Sequence, residues 1–169
     1  MATEYQTLAP LYQGWQNHQQ HLITTIGRLT RDQLALRAAP HIRSIGTLGA
    51  HILAVRIWWL HFVMNEGGPD LEPLRFWDDD DPVRCTAAEL VGGLEASWRV
   101  LLAGLQGWTP NDLHQTFPSQ SGPCERQWIL AHLRDHEMHH GGELFLTCHM
   151  YRLLPTNRPQ QNQEGYRSP

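Results

Sequence analysis

The sequence predicts an all-α protein: a four-helix bundle with a long crossover loop between helices 2 and 3. Apolar residues recur at three- and four-residue steps in four long segments, as expected of helices that bury one face. Period-2 alternation, the pattern of a half-buried strand, does not appear in the sequence. The 169 residues suit one domain, and four such helices bury their apolar faces against each other in a bundle.

Composition and charge exclude several kinds of partner. The formal net charge is −4 and Lys plus Arg number only 13, with no basic cluster to bind a nucleic-acid backbone. The most apolar segment is interrupted by Arg56 and His61, so it falls short of the roughly 20 apolar residues of a membrane span. The first ten residues show no signal-peptide pattern. Three cysteines without a C-x-x-C motif, Cys85, Cys124 and Cys148, favour a reduced, cytoplasmic setting.

The first helix is predicted over residues 8–29. Its apolar face consists of Leu8, Leu11, Trp15, Leu22, Ile26 and Leu29. Pro10 fits the first turn, where a missing N–H costs little. Thr30 and Gln33 then have the spacing of a capping box, which predicts a short capped turn before Pro40 interrupts the chain.

The second helix is predicted over residues 44–65, and the sequence EGG stops it. The crossover loop follows over residues 67–85, with three prolines and a run of four aspartates that is expected to be solvated. The third helix is predicted to begin at a capping box formed by Thr86 and Glu89 and to end at Gly107.

An irregular stretch precedes the last helix. It has room for one helical turn at residues 109–113 and for a small hairpin near Gly122. The fourth helix is predicted over residues 125–153. Residues 1–155 would therefore form the bundle domain, and residues 156–169 a polar C-terminal tail with almost no apolar side chains.

Two histidines of the last helix project from an otherwise apolar face. Positions four apart differ by only about 40° around a helix, so His132, His136 and His140 form one stripe beside Ile129 and Leu133. Two imidazoles one turn apart can share one metal ion at about 2.0–2.1 Å. The alternative is a pair of ordinary polar side chains on a solvated face, and the spacing alone leaves both interpretations open.

His51 supplies a third ligand if the second and fourth helices face each other. It lies at the edge of an apolar stripe, in step with Val55 and Trp58, where a buried neutral imidazole needs a hydrogen-bond partner or a metal. Three protein ligands with open positions are typical of a catalytic metal site. His132 and His139 lie near enough to support the ligands. The other histidines are expected at interfaces or in solvent: His18, His21, His41, His61, His114 and His149.

The last helix also contains H-E-x-x-H, the zinc-protease signature, starting at His136. The longer form of that signature needs glycine and histidine further along, but Glu143 and Leu146 stand there. Only Glu164 remains downstream as a glutamate ligand, in the polar tail, and no strong strand is present to hold an extended peptide. The sequence therefore disfavours a protease and favours a structural or supporting role for Glu137.

Two segments resemble helices of one known family. Residues 44–67, SIGTLGAHILAVRIWWLHFVMNEG, are similar to the second helix of DinB-like (DinB/YfiT) proteins. Residues 128–144, WILAHLRDHEMHHGGEL, are similar to the last long helix of those proteins. Helix order and loop lengths extend the resemblance to nearly the whole chain.

Carried over by position, the resemblance makes His51, His136 and His140 the metal ligands, in agreement with the facing-helix argument. The residues expected to support them are His132, Glu137, His139 and Glu143. Gly141 stands where the family frequently has arginine, and Glu143 where it frequently has glutamine. Any role of that arginine elsewhere in the family therefore does not carry over.

The resemblance implies a metal-dependent enzyme. A divalent ion, zinc or nickel, would activate a low-molecular-weight thiol or water towards a small-molecule substrate, in a thiol S-transferase or a hydrolase. Dimers are common in such a family, so a homodimer is expected. Two alternatives stay open: a non-catalytic bundle that binds a metal or a small ligand, and a helical dimerisation module. The sequence assigns no catalytic residue.

Overall fold

The structure is a computed structural model that describes residues 7–78, 85–119 and 122–154. Its α-helices are α1 (Gln13–Ile26), the single turn α2 (Arg31–Leu34), α3 (Ile45–Ile57), α4 (Ala87–Gly107) and α5 (Arg126–Met150). Shorter elements are 3-10 segments at Ala9–Tyr12, Pro69–Asp78 and Pro110–His114, a π-helical segment at Trp58–Val63, and antiparallel strands β1 (Thr116–Phe117) and β2 (Cys124–Glu125). The predicted all-α fold is confirmed. The predicted tail lies outside the described residues.

The four long helices form a closed ring of neighbours. α3 packs against α4 and α5, and α1 packs against the same two helices. Because α1 and α3 both face α4 and α5, the second and last long helices are neighbours, as the histidine argument requires. In the part of the chain that is described, no helix is both long and apolar enough to cross a membrane.

Two helix starts follow the predicted capping chemistry. The Thr30 hydroxyl accepts from the Gln33 backbone N–H, and the Gln33 side chain accepts from the Thr30 backbone N–H. Thr86 and Glu89 make the same reciprocal pair at the start of α4. Each box satisfies backbone donors that a helix terminus leaves without partners.

The end of the second predicted helix differs from a regular α-helix. After Ile57 the chain widens into the π-helical segment, and the Met64 N–H donates to the Trp59 carbonyl five residues earlier. Asn65 then adopts φ 56°, and the crossover region continues with 3-10 turns at Pro69–Asp78 rather than an irregular loop. Leu71 anchors these turns because its side chain is buried in the core. Three of the four aspartates that follow, residues 79–81, lie outside the described residues.

A layer of polar side chains divides the hydrophobic core into two clusters. One cluster contains Leu22, Ile52, Leu90 and Leu144 among its members, and the other contains Trp15, Leu60, Leu101 and Leu133. Near the boundary between the two clusters, each long helix buries one polar side chain: Gln19, Arg56, Ser97 and Glu137. The core is therefore interrupted at the same level on all four helices.

The Arg56–Glu137 ion pair is the centre of this polar layer. Both side chains are fully buried, and Arg56 Nε donates to Glu137 Oε1 at 2.7 Å while Nη2 donates to Oε2 at 2.9 Å. The guanidinium also donates to Gln19 Oε1, Ser97 Oγ and the Leu94 carbonyl. A buried charge is tolerated only when it is paired and hydrogen-bonded in this way.

Glu137→Gln should lower the free energy of unfolding by about 3 kcal/mol, because removal of one charge leaves the buried guanidinium uncompensated. The measurement is chemical denaturation at neutral pH. Asp135→Asn is the matched control on the same helix, since the Asp135 side chain is 74% exposed, and it should change stability by no more than about 0.5 kcal/mol. Equal effects from the two substitutions would show that the ion pair does not organise the core.

Candidate metal centre

Three imidazoles from α3 and α5 meet at one side of the bundle. His51 Nε2 and His136 Nε2 are 3.0 Å apart. The His140 ring centroid lies 4.7 Å from that of His51 and 4.5 Å from that of His136. One nitrogen from each of the three residues lies within 4.8 Å of the other two. The structure thus brings together the three residues that the sequence nominated as ligands.

The chemistry and spacing of these nitrogens fit a divalent metal ion. A tetrahedral ion that binds two imidazoles at about 2.0–2.1 Å holds their nitrogens roughly 3.3 Å apart, close to the separation of His51 and His136. When the Nε2 atoms of two neutral imidazoles are in contact, only one of them can carry the proton of the hydrogen bond. A metal ion would instead bind the lone pairs of both nitrogens. The histidine cluster is therefore compatible with a metal site.

Burial favours the neutral form of His136 and His140, which is the form that metal ligation needs. The pKa of His136 is lowered to about 3, chiefly by burial and then by the neighbouring histidines, beginning with His140 and His51. The pKa of His140 is also lowered, again chiefly by burial, although its hydrogen bond to Glu143 acts in the opposite direction. Both groups accordingly offer lone pairs at neutral pH.

Glu143 fixes the orientation of one of the candidate ligands. Its Oε2 lies 2.7 Å from His140 Nδ1, and because a carboxylate only accepts, His140 donates from Nδ1 and leaves Nε2 unprotonated. Carboxylates commonly hold metal-bound histidines in this way. His139 Nε2 is 3.5 Å from the other Glu143 oxygen, but its side chain is 67% exposed.

The group His139, His140 and Glu143 also brings three possible ligand atoms together. It is the weaker candidate, since His139 is exposed and the Glu143 carboxylate is already bonded to His140 Nδ1. An exposed side chain is solvated by water whether or not a metal is bound, so it needs no other partner. Its position is therefore weaker evidence for a metal site than that of a buried side chain.

The other two supporting residues lie in different surroundings. The His132 ring is 5.9 Å from that of His136 and stacks on Trp128 at 4.9 Å, nearly parallel. Glu137 differs from the expectation that it supports the ligands: its carboxylate is bound to Arg56 and accepts from Trp15 Nε1 at 2.6 Å. A buried carboxylate requires such partners, so Glu137 belongs to the polar layer.

Sequence reasoning also missed the role of His18, which was expected in solvent. The ring is partly buried, its Nε2 lies 3.0 Å from the Glu137 carbonyl oxygen, and it contacts Phe145 edge-on. A Cβ on Gly141 would lie only 2.5 Å from His18 Cε1. His18 therefore fills the space beside Gly141, the position where the resembled family frequently has arginine.

The fold and the histidine cluster define an all-α bundle protein with a site compatible with a metal ion. The sequence profile of the DinB superfamily matches residues 14–144, so the chain belongs to the DinB superfamily. The fold is similar to the crystal structure of a DinB-like protein from Bacillus cereus ATCC 10987, with TM-score 0.68 and 22% identity over 88% of this chain and 95% of that chain. No match was found among curated proteins.

The metal-free protein should lose stability as the pH falls below about 6.5, the ordinary histidine pKa. Above that pH, His136 is neutral in both the folded and the unfolded state. Between about 6.5 and the folded pKa of about 3, the unfolded chain binds a proton that the folded chain does not bind, so protonation favours unfolding. Urea denaturation across this range checks the slope. The free energy of unfolding of His136→Gln should fall less steeply with decreasing pH. Identical slopes in the two proteins would contradict the lowered pKa of His136.

Gly141→Ala and Gly142→Ala should have opposite effects on stability. A Cβ at Gly142 meets nothing within 4 Å, so alanine there should add about 0.5–1 kcal/mol through helix propensity. Alanine at Gly141 displaces His18 and breaks its hydrogen bond to the Glu137 carbonyl, which outweighs that gain. Thermal denaturation compares the two variants. The double change Gly141→Ala with His18→Ala should recover stability, and equal gains at both glycines would refute the steric argument.

Proposed function

We propose that this protein is a metal-dependent enzyme that activates a thiol or water for attack on a small electrophilic substrate, as a thiol S-transferase or a hydrolase. His51, His136 and His140 would hold a divalent ion, zinc or nickel. The observation that carries the proposal is the convergence of three imidazole nitrogens from two helices within 4.8 Å. All three side chains are partly buried, and polar groups withdrawn from water need partners that replace it.

Two of the three candidate ligands, His136 and His140, open onto a cavity rather than lying sealed in the core. This histidine cavity has a volume of about 430 Å³ and is lined by Trp128, Ala131, His132, Asp135, His136, His139 and His140. A site that is open on one side leaves room for a substrate, whereas a structural zinc site is closed by four protein ligands. The arrangement thus favours a site that exchanges small molecules.

A bound divalent ion would supply positive charge that lowers the pKa of a coordinated thiol or water. The protein side chains would control the positions of the protons. Glu143 keeps the proton of His140 on Nδ1, and the exposed His139 beside it is positioned to pass protons between the cavity and bulk water. A low-molecular-weight thiol is the proposed co-substrate for the transferase reaction. The homodimer and the cytoplasmic location stay predictions.

The second candidate is a non-catalytic bundle that binds a metal or a small ligand. Four of the seven residues that line the histidine cavity are histidines, and a binding site needs no further chemical group. Both candidates use the histidine site to bind, and only the first converts a substrate into a product.

Protein purified without an affinity tag should contain about one equivalent of divalent metal per chain, because three converging imidazoles form one site. Elemental analysis measures the content, and cobalt substitution should give a visible absorption spectrum. His51→Ala and His136→Ala should each lose the metal, while His41→Ala, at an exposed histidine, should retain it. Glu143→Ala should weaken binding by about 10–100-fold, as the loss of a residue that orients a ligand does.

Metal content that is negligible and unaffected by His136→Ala would refute the metal centre. Turnover separates the two candidates: the metal-loaded protein is assayed with thiols plus electrophiles, and with simple esters and amides. Tight metal binding with no turnover on either panel would favour the binding protein.

A further inference from the structure

A second concavity adjoins the histidine cavity. This aromatic cleft has a volume of about 1170 Å³ and lies between the π-helical segment, the two short strands and the first turns of α5. Its main walls are Trp58, Trp59, Phe62, Trp128, Pro118 and Pro123. A concave site with apolar and aromatic walls and few polar groups is the usual form of a small-molecule site.

The aromatic cleft and the histidine cavity share two residues. Trp128 and Ala131 line both. The Trp128 ring contacts Trp59 on the cleft side at 5.4 Å and stacks on His132 on the histidine side. At the boundary that the two spaces share, Ala131 contributes only a methyl group. One extended molecule can therefore occupy both spaces at once.

The rings of the aromatic wall pack against one another and against a guanidinium. The Trp58 and Phe62 rings stack at 5.7 Å, and the Arg75 guanidinium lies 5.1 Å and 4.7 Å from their centroids. Trp128 is 50% exposed and Phe62 is 36% exposed, so large aromatic faces remain uncovered. Exposed rings of this kind gain by stacking against another flat apolar group.

Polar groups are confined to one part of the aromatic cleft. Ser119, Glu125 and Gln127 line it near the strands, and the remaining lining is mainly apolar. No Lys or Arg lines either space among the described residues. The aromatic cleft therefore suits an uncharged flat group better than a phosphate or another anion.

We infer that the aromatic cleft binds the flat aromatic body of the substrate while a polar, electrophilic end reaches the three histidines. This inference rests on the proposed function, and it narrows the substrate class to aryl compounds with a reactive polar substituent. Trp59, Phe62 and Trp128 determine specificity by offering ring faces, and Ala131 leaves the passage open. The polar end is the part that reacts, and the ring supplies binding energy.

A matched pair of hydroxamates tests the inference in the metal-loaded protein. Acetohydroxamate and naphthalene-2-carbohydroxamate share the metal-binding group and differ only in the flat body. The naphthyl compound should bind at least about tenfold more tightly by calorimetry, a difference of about 1.4 kcal/mol. Trp128→Ala and Phe62→Ala should bring the ratio close to one. Leu146→Ala, which removes an exposed apolar residue elsewhere on α5, should leave the ratio unchanged.

A metal-independent readout separates failure of the aromatic cleft from failure of the metal centre. Cys124 lines the cleft, while Cys85 packs against the other core cluster and serves as an internal reference. In chelator-treated protein, 2-naphthol should slow alkylation of Cys124 relative to Cys85, as measured by peptide mass spectrometry. Protection of Cys124 without metal-dependent hydroxamate binding would refute the metal centre and keep an aryl-binding cleft.

Equal binding of the two hydroxamates, both lost in His51→Ala, would keep the metal centre and overturn the aromatic cleft as a substrate site. The other occupant to consider is a second copy of the chain. Protection of Cys124 that rises with protein concentration, without ligand and together with a larger size in gel filtration, would identify the cleft as a self-association surface and overturn the inference.

Discussion

The buried contact between Arg56 and Glu137 constrains the rest of the bundle. A guanidinium and a carboxylate that are both fully enclosed cost several kcal/mol to desolvate, and only a complete set of partners offsets that cost. Those partners come from every long helix: Trp15 and Gln19 from α1, Ser97 and the Leu94 carbonyl from α4. Each helix must therefore hold one rotation and one register, since a slip of one turn would leave a buried charge without its bonds.

The histidine site depends on this constraint through α5. Glu137 lies between the two α5 histidines in sequence, and positions on an α-helix are about 100° apart. Once Glu137 points into the core, His136 and His140 both lie to one side of it, at the boundary between core and solvent. They are buried enough to stay neutral, yet they border an open cavity. The ion pair thus positions the imidazoles without touching them.

Much of this arrangement can be predicted from the sequence. Helical periodicity predicted the long helices, and capping boxes predicted the short turn α2 and the start of α4. The H-x-x-x-H spacing together with His51 nominated three residues that the structure brings together. The polar layer was missed, although its signal is present: Arg56 stands between Ile52 and Leu60 in an otherwise apolar stripe. Periodicity shows that a polar residue faces inward, but it does not show which partner on another helix satisfies it.

Other features of the structure correspond to no pattern in the local sequence. The contact between His18 and Gly141 joins residues far apart in the chain, so neither position alone reveals it. The 3-10 turns of the crossover region depend on the burial of Leu71 against α3 and its neighbours, which overrides the loop character of the prolines. The aromatic cleft arises because the π-helical segment, the strands and α5 meet in space, and linear spacing does not encode such a meeting.

The π-helical segment at Trp58–Val63 has a consequence for how this protein diverges. A π-turn holds one more residue than the α-turn it replaces, so a single-residue deletion there would restore regular helix and rotate the following side chains by about 100°. Phe62 would move away from the aromatic cleft, while His51 and Arg56, which precede the segment, would keep their places. Loss of one codon at this point can therefore reshape the cleft without disturbing the histidines or the ion pair. The part of the helix before this segment is constrained by the histidine site and the ion pair, whereas the part that lines the aromatic cleft can vary independently.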